Sequence, residues 1–323
     1  MFGFIARRCF SLFLVLLFAV TLTFCLLRMA PGSPFNLNEK QNTPEAVARA
    51  ERKFNLDGPL WWQCARYIGV ARKHAVESPP APARFSGLLQ GDFQPCLKYK
   101  DRGVGELLAQ TLPISATLGA AALLIATVAG VWLGCVAALR RHTWVDAAAM
   151  FGALAAISIP TFVTGPALVL IFSLKLGWLP VGGWAGLANL ILPALTLAGP
   201  AIAYIARLTR TSMLEVLAQD FVRTAHAKGL SEQRVLYRHV LKVGILPVVS
   251  FLGPLAAGML TGSLVIEKVF SLPGMGDFFV NSVLNRDVFL CGGSVAVYCT
   301  LLVVMNLFVD IAYKWLDPRI RLQ

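Results

Sequence analysis

Charge is missing from this sequence over long distances. No Asp, Glu, Lys or Arg occurs from Cys9 to Leu27, Leu112 to Leu139, Ala147 to Leu174, Leu176 to Ala206, Val243 to Ile266, or Val288 to Val309. Only 14% of the 323 residues are charged, against 57% hydrophobic, where a soluble globular chain carries roughly 25% charged residues. A helix needs about 20 mostly apolar residues to cross the hydrocarbon, so the runs predict six spans. The longest leave room for tilt or a short re-entrant piece. Barrel strands would be about 9–11 residues of alternating polarity, which these runs are not. The expected class is an all-α integral membrane protein with six transmembrane helices.

Other absences remove chemistry. The seven cysteines include no CxxC pair, so no metal pattern is present. No Gly-Lys-Ser/Thr occurs, so the backbone cradle for nucleotide phosphates is missing. No HExxH or GxSxG occurs either. The apolar runs hold none of the carboxylates that proton-coupled carriers and intramembrane proteases need. Glu267 and Asp310, at the edges of runs, read as solvated or interfacial carboxylates. The chain is expected to be no enzyme and to need no cofactor or metal.

What charge there is is mostly positive, a net +12. Its placement reads as topology and not as nucleic-acid binding, because cations gather on the cytoplasmic side of short connections. Arg7 and Arg8 precede the first run, Arg140 and Arg141 follow the second, Arg207 to Lys242 separate the fourth from the fifth, and Arg319 and Arg321 end the chain. Six alternating spans put all four groups on one side, with both termini cytoplasmic. The first apolar run exceeds the roughly 7–15 residues of a signal-peptide core, so a retained anchor is expected.

Three parts follow: an anchor helix over 1–29, an external segment over 30–105, and a core of five spans over 110–313. Within the external segment, "TPEAVARAERKFNLDGPLWWQCARYIGVARK" predicts helix, turn at Asp57-Gly58-Pro59, helix. Trp61, Trp62 and Tyr67 suit an interfacial position, with one wet and one apolar edge. "ESPPAPARFSG" reads as a Pro-rich link. Cys64 and Cys96 share this segment, and a disulfide between them is left open. Pro113, Pro160, Pro166, Pro193, Pro200, Pro247 and Pro254 punctuate the core and read as kinks or helix starts.

One polar block interrupts the core: "EVLAQDFVRTAHAKGLSEQRVLYRHVLKVGILP", residues 215–247. Leu214, Leu217, Phe221 and Ala225 recur at helical spacing, with Arg223 and Lys228 off that stripe. Lys228 falls in a last turn, where a cation favours the helix dipole. Gly229 then suits the left-handed position after a helix. Ser231 suits an N-cap, with Glu232 in the first turn. Leu230 and Val235 take the hydrophobic-staple positions, and Leu236, Val240 and Val243 share a face. Two short amphipathic helices meeting at Gly229 could lie on anionic headgroups or dock on a partner.

The block resembles the cytoplasmic coupling loop of binding-protein-dependent ABC importer permeases. The family pattern is an acidic-Ala-Ala triplet, a Gly four residues after its last Ala, and a downstream Leu-Pro. Here the triplet positions hold Arg223, Thr224 and Ala225, the Gly is Gly229, and Leu246-Pro247 lies further downstream. "RTAHAKGL" (223–230) is similar to the peptide and nickel branch, with His226 at a usual Arg. "RMAPGSPF" (28–35), "GDFQPCLKYKD" (91–101), "IPTF" (159–162), "GWLPVGGW" (177–184), "RLTRTSMLEVL" (207–217), "TGSLVIEKVFSLPGMG" (261–276), "LNRD" (284–287) and "DPRIR" (317–321) follow in the expected order.

The resemblance covers essentially the whole chain and sits nearest the oligopeptide type. It implies a type I importer permease fold in the bacterial inner membrane. It implies a homologous C-type permease subunit, two ATP-binding subunits at the cytoplasmic face, an external peptide-binding protein and a peptide substrate, within membrane lipid. It makes 212–243 the coupling loop, with Arg223, Thr224, Ala225, His226, Lys228, Gly229, Leu230 and Arg234 as its contact residues. Dipeptide, nickel and glutathione permeases share most of these motifs. An ion-coupled transporter acting alone, or a channel without energy coupling, is the competing expectation.

Overall fold

The computed structural model describes residues 2–30, 34–35, 44–71, 87–99 and 102–316. Most of the Pro-rich link, part of "RMAPGSPF" and the whole of "DPRIR" lie outside the described residues. In chain order the helices are α1 (Phe2–Met29), α2 (Pro44–Lys53), α3 (Leu60–Ile68), α4 (Val104–Leu139), α5 (Trp144–Ser158), α6 (Thr161–Leu168), α7 (Leu187–Leu217), α8 (Asp220–Ala227), α9 (Glu232–Val235), α10 (Leu241–Gly244), α11 (Leu246–Leu260), α12 (Leu264–Val269), α13 (Met275–Leu284) and α14 (Val288–Leu316). Two π-helical stretches, Val169–Lys175 and Leu236–Val240, extend α6 and join α9 to α10. Among the described residues the only β pairing is an isolated bridge between Pro95 and Gly103. The all-α expectation therefore holds.

Four stretches are long and apolar enough to cross a membrane: Phe10–Met29, α4, α7 and Val288–Tyr313. Two helix pairs qualify only when taken together. Trp144–Ser158 with Thr161–Lys175 is bent by 105°, and Glu232–Gly244 with Leu246–Leu260 by 48°. The run from Ala147 to Leu174, expected to be one span, is thus broken at Ile159-Pro160. Proline disfavours the helical region for the residue before it, and Ile159 is extended (φ −86°, ψ 120°). The next run, from Leu176, becomes helical only at Leu187. Pro193 and Pro200, by contrast, stay inside α7.

The chain divides into two compact units. The larger consists of 1–5, 114–274 and 301–323. Its apolar core is built from Leu118, Ala122 and Ala126 of α4, Leu192, Ala198 and Ile205 of α7, Val248 and Met259 of α11, and Ile266 of α12. Small residues bring α4 onto α7: a methyl on Gly130 would meet Ile205, and one on Gly134 would meet the Ala206 carbonyl and Thr209. Close small-residue contact is how membrane helices associate when burial itself supplies little drive. Arg210 of α7 makes a bidentate ion pair with Asp146 of α5, at 2.5 and 2.7 Å. The His142 amide also donates to that carboxylate at 3.1 Å.

The second unit consists of 6–113 and 275–300. The turn between α2 and α3 forms as expected, with Asn55 and Gly58 at positive φ. Tyr67, however, is buried at 1% exposure and not interfacial. Its ring stacks on Phe24 and tilts against Phe289. Trp61 is 67% exposed. Asp287, the last residue of "LNRD", is also buried. It caps α14 through the Leu290 amide at 3.0 Å and accepts the Leu97 amide and the Cys96 thiol, both at 2.8 Å. Cys64 and Cys96 are both free. Burial and the neighbouring Asp287 push the Cys96 thiol up to about 12.

Candidate functional site

The block between α7 and α11 is a chain of short helices on a small apolar core. The α7 helix ends at Leu217, two non-helical residues follow, and α8 begins at Asp220. That break rotates the stripe read from sequence: Val222 and Ala225 are buried, while Phe221 is 39% exposed. Both pack with Met213, Val216, Val235 and Val240, and with Ala138 of α4.

The turn after α8 has the expected form. Gly229 lies in the left-handed region at φ +76°. Its amide donates to the His226 carbonyl at 2.9 Å, and the Leu230 amide donates to the Ala225 carbonyl at 3.3 Å. These two bonds, after a C-cap at Lys228, complete a Schellman motif. Leu230 joins the same core as Ala225, the apolar contact that accompanies this motif. Ser231 occupies the N-cap of α9, but its side chain makes no capping bond there. The staple residue Val235 is buried at 2% exposure.

The helix after Gly229 departs from the expected face. A π-turn inserts one extra residue per turn, so Val235 and Val240, five apart, are both buried. Val243, expected on the same face as Val240, is 40% exposed. Gly244 takes the buried position, against Met213.

Beside the turn lies a cleft of about 640 Å³. Its apolar lining includes Leu139 of α4, Leu217 of α7, Val235 and Leu236. Its rim carries Arg141, Arg223, His226, Glu232 and Gln233. Of the residues named from sequence, Arg223 and His226 therefore face one space. Thr224, Lys228 and Arg234 are exposed outside its lining, and Ala225 and Leu230 face inward to hold the turn. Arg223 stands 3.6 Å from Asp220, an i,i+3 pair so exposed that it contributes little. Sequence reading takes Arg141 as a topology signal and Glu232 as a first-turn acid and names neither of them, nor Gln233, as a contact residue; only folding brings Arg141, just after α4, to the block. The arrangement is a cationic rim on an apolar socket, next to an exposed rigid turn.

The profile of a family described as "Binding-protein-dependent transport system inner membrane component" matches residues 130–322, and that of its N-terminal region matches residues 1–85. The chain belongs to that family. The oligopeptide transport system permease protein OppB of Salmonella typhimurium is 43% identical over 99% of this chain and 100% of its own. OppB of Haemophilus influenzae is 42% identical with the same coverage. The dipeptide transport system permease protein DppB of Bacillus subtilis is 40% identical over 98% of this chain and 97% of its own. A crystal structure of an amino acid ABC transporter aligns with 65% of this chain and 94% of that chain, at 15% identity and a TM-score of 0.49.

This inner membrane component also holds a carboxylate whose setting sequence reading misjudged. Glu267, expected to be solvated or interfacial, is 1% exposed. It lies within "TGSLVIEKVFSLPGMG" and accepts a hydrogen bond from Ser115 of α4 at 2.7 Å.

Proposed function

We infer that this chain is a permease subunit of an ATP-driven ABC importer that carries peptides, of oligopeptide type, across the cytoplasmic membrane. The observation that carries the reading is the exposed α8–Gly229–α9 turn, in a chain similar over its full length to oligopeptide permeases. Six spans are counted by taking each bent pair as one. Both termini and the block at 207–242 face the cytoplasm. ATP is hydrolysed on two separate subunits, a second homologous permease completes the pathway, and an external binding protein delivers the peptide. The segment 30–105 helps to seat that protein.

The geometry supports a mechanical role for residues 212–243. The Schellman turn fixes the angle between α8 and α9, and the shared core under Val222, Ala225, Val235 and Val240 ties both to α7. Movement of an ATP-binding subunit against Arg223, His226, Lys228 and Arg234 would move the block as one body. The Asp146–Arg210 pair then extends that body to α5. Coupling of this kind needs an element with two arrangements that both sites bias. The broken helices on either side of the core suit that requirement.

The test is transport by proteoliposomes that hold the purified complex, with binding protein and peptide outside and ATP inside. Uptake should need ATP and the binding protein. Uptake driven by a proton or sodium gradient without ATP would refute the importer reading.

A further inference from the structure

The motif "TGSLVIEKVFSLPGMG" has no part in the coupling block, yet it contains the most deeply buried carboxyl side chain among the described residues of the larger unit. Residues 261–274 follow α11, at its end away from the block. Only Leu264–Val269 is helical. Ile266, Phe270 and Leu272 are nonetheless part of the same apolar core as α4 and α7. Irregular backbone at membrane depth is tolerated where it is packed in protein or lines a pathway. A buried ionisable side chain in such a place is costly and is functional by default.

The carboxylate has a built seat. Gly262 lies in the left-handed region at φ +95°, and a methyl there would overlap both the Glu267 carboxylate and the Ser115 hydroxyl. A methyl on Gly274 would overlap the same carboxylate. The spacing of Gly262, Glu267 and Gly274 in the motif is thus the spacing of a pocket closed by its own backbone. The Leu272 amide donates to the Glu267 carbonyl at 2.8 Å and folds the return strand of the segment over it. The Gly183 amide donates to the Phe270 carbonyl at 2.8 Å, which fastens the loop before α7 to the same segment.

We propose that Glu267 is a positioning residue for transport: seated between Gly262 and Gly274 and bonded to Ser115, it latches residues 262–274 closed at the end of the pathway remote from the coupling block. The inference rests on the proposed reading of the chain as one of two permease subunits of an importer, and adds that their pathway opens to each side in turn. Opening that end requires the Ser115–Glu267 bond to part. Removing the bond should therefore let the complex reach the hydrolysing state without peptide.

The experiment measures ATP hydrolysis by the reconstituted complex, with and without binding protein and peptide, for Ser115→Ala, Glu267→Ala and Glu267→Gln. Intrinsic fluorescence melting of each solubilised complex is recorded alongside. Ser115→Ala should raise peptide-independent hydrolysis roughly two- to tenfold, the scale of one lost hydrogen bond, without lowering the melting temperature to match. Glu267→Ala should do the same if it assembles. Glu267→Gln keeps the shape and an acceptor for Ser115, and should stay close to wild type. The latch is refuted if Ser115→Ala leaves basal hydrolysis unchanged, or if Glu267→Gln is as perturbed as Glu267→Ala. It is equally refuted if every variant loses activity in step with its melting temperature. Absence of peptide stimulation in the wild-type complex would instead refute the importer reading on which the latch rests.

Discussion

Replacing Gly229 separates a docking turn from a block that lies on lipid. Gly229 is at φ +76°, and no heavy atom stands within 4 Å of where a Cβ would be. A substitution there meets no neighbour, so its whole cost is conformational. An L-residue in the left-handed region costs about 1–2 kcal/mol, which changes a local equilibrium by about 5–30-fold. A β-branched side chain should lie at or beyond the upper end, while Asn visits this region readily. If Val at 229 forces the turn to rearrange, the bonds from 229 to His226 and from Leu230 to Ala225 are lost together. The angle between α8 and α9 is then no longer set. The assay is peptide-stimulated ATP hydrolysis of the reconstituted complex. Gly229→Asn should be nearly normal, Gly229→Ala intermediate and Gly229→Val uncoupled, with the subunit inserted in each case. Arg234→Gln removes one exposed charge and no turn, a change of about 1 kcal/mol near an anionic surface, and should be mild. If Gly229→Val is no worse than Arg234→Gln, the block works as summed charge on headgroups and the docking argument fails.

Three further outcomes are expected. Asp146→Asn should lower both the melting temperature and uptake, since it weakens charge-assisted hydrogen bonds to a partly exposed Arg210, worth roughly 1.5–3 kcal/mol. The exchange of Asp146→Arg with Arg210→Asp should recover part of the loss, and additive losses would show that the two residues act separately. Cys96, buried and with its thiol pushed up to about 12, should resist maleimide at pH 8 in the native complex and react after denaturation, because only the thiolate attacks. Asp287→Ala, which orphans the Leu97 and Leu290 amides, should make the native Cys96 reactive; unchanged protection would show that the carboxylate does not hold that loop. In a background without the native cysteines, a membrane-impermeant maleimide should reach Glu77→Cys but not Lys228→Cys in intact cells. The reverse pattern would overturn the proposed orientation.

The sequence pattern reached some of this structure and missed the rest for identifiable reasons. Charge-free runs locate α1, α4, α7 and α14, because the need for uninterrupted apolar length is written residue by residue. The Gly229 turn was legible because its determinants, a C-cap cation, a glycine, a staple leucine and an N-cap serine, lie within a few positions. Pro160 reads as a kink or helix start, and α6 does begin directly after it, but the size of the bend there, 105°, has no local signal. The faces of Phe221 and Val243 were misassigned because a two-residue break and a π-turn shift the helical period without a composition signal. Asp146 and Arg210 are 64 residues apart, and Ser115 and Glu267 are 152 apart. Pairs that only tertiary packing creates leave no local trace, so Glu267 was read from its place at the edge of a run and its burial was missed.

The decisive observation is what His226 touches in the working transporter. A photoreactive amino acid at that position, irradiated in the reconstituted complex, reports its neighbour by mass spectrometry. An adduct with the ATP-binding subunit, changing in yield between nucleotide-free and ATP-trapped states, is the outcome expected of a coupling turn. Adducts confined to phospholipid in both states would contradict it.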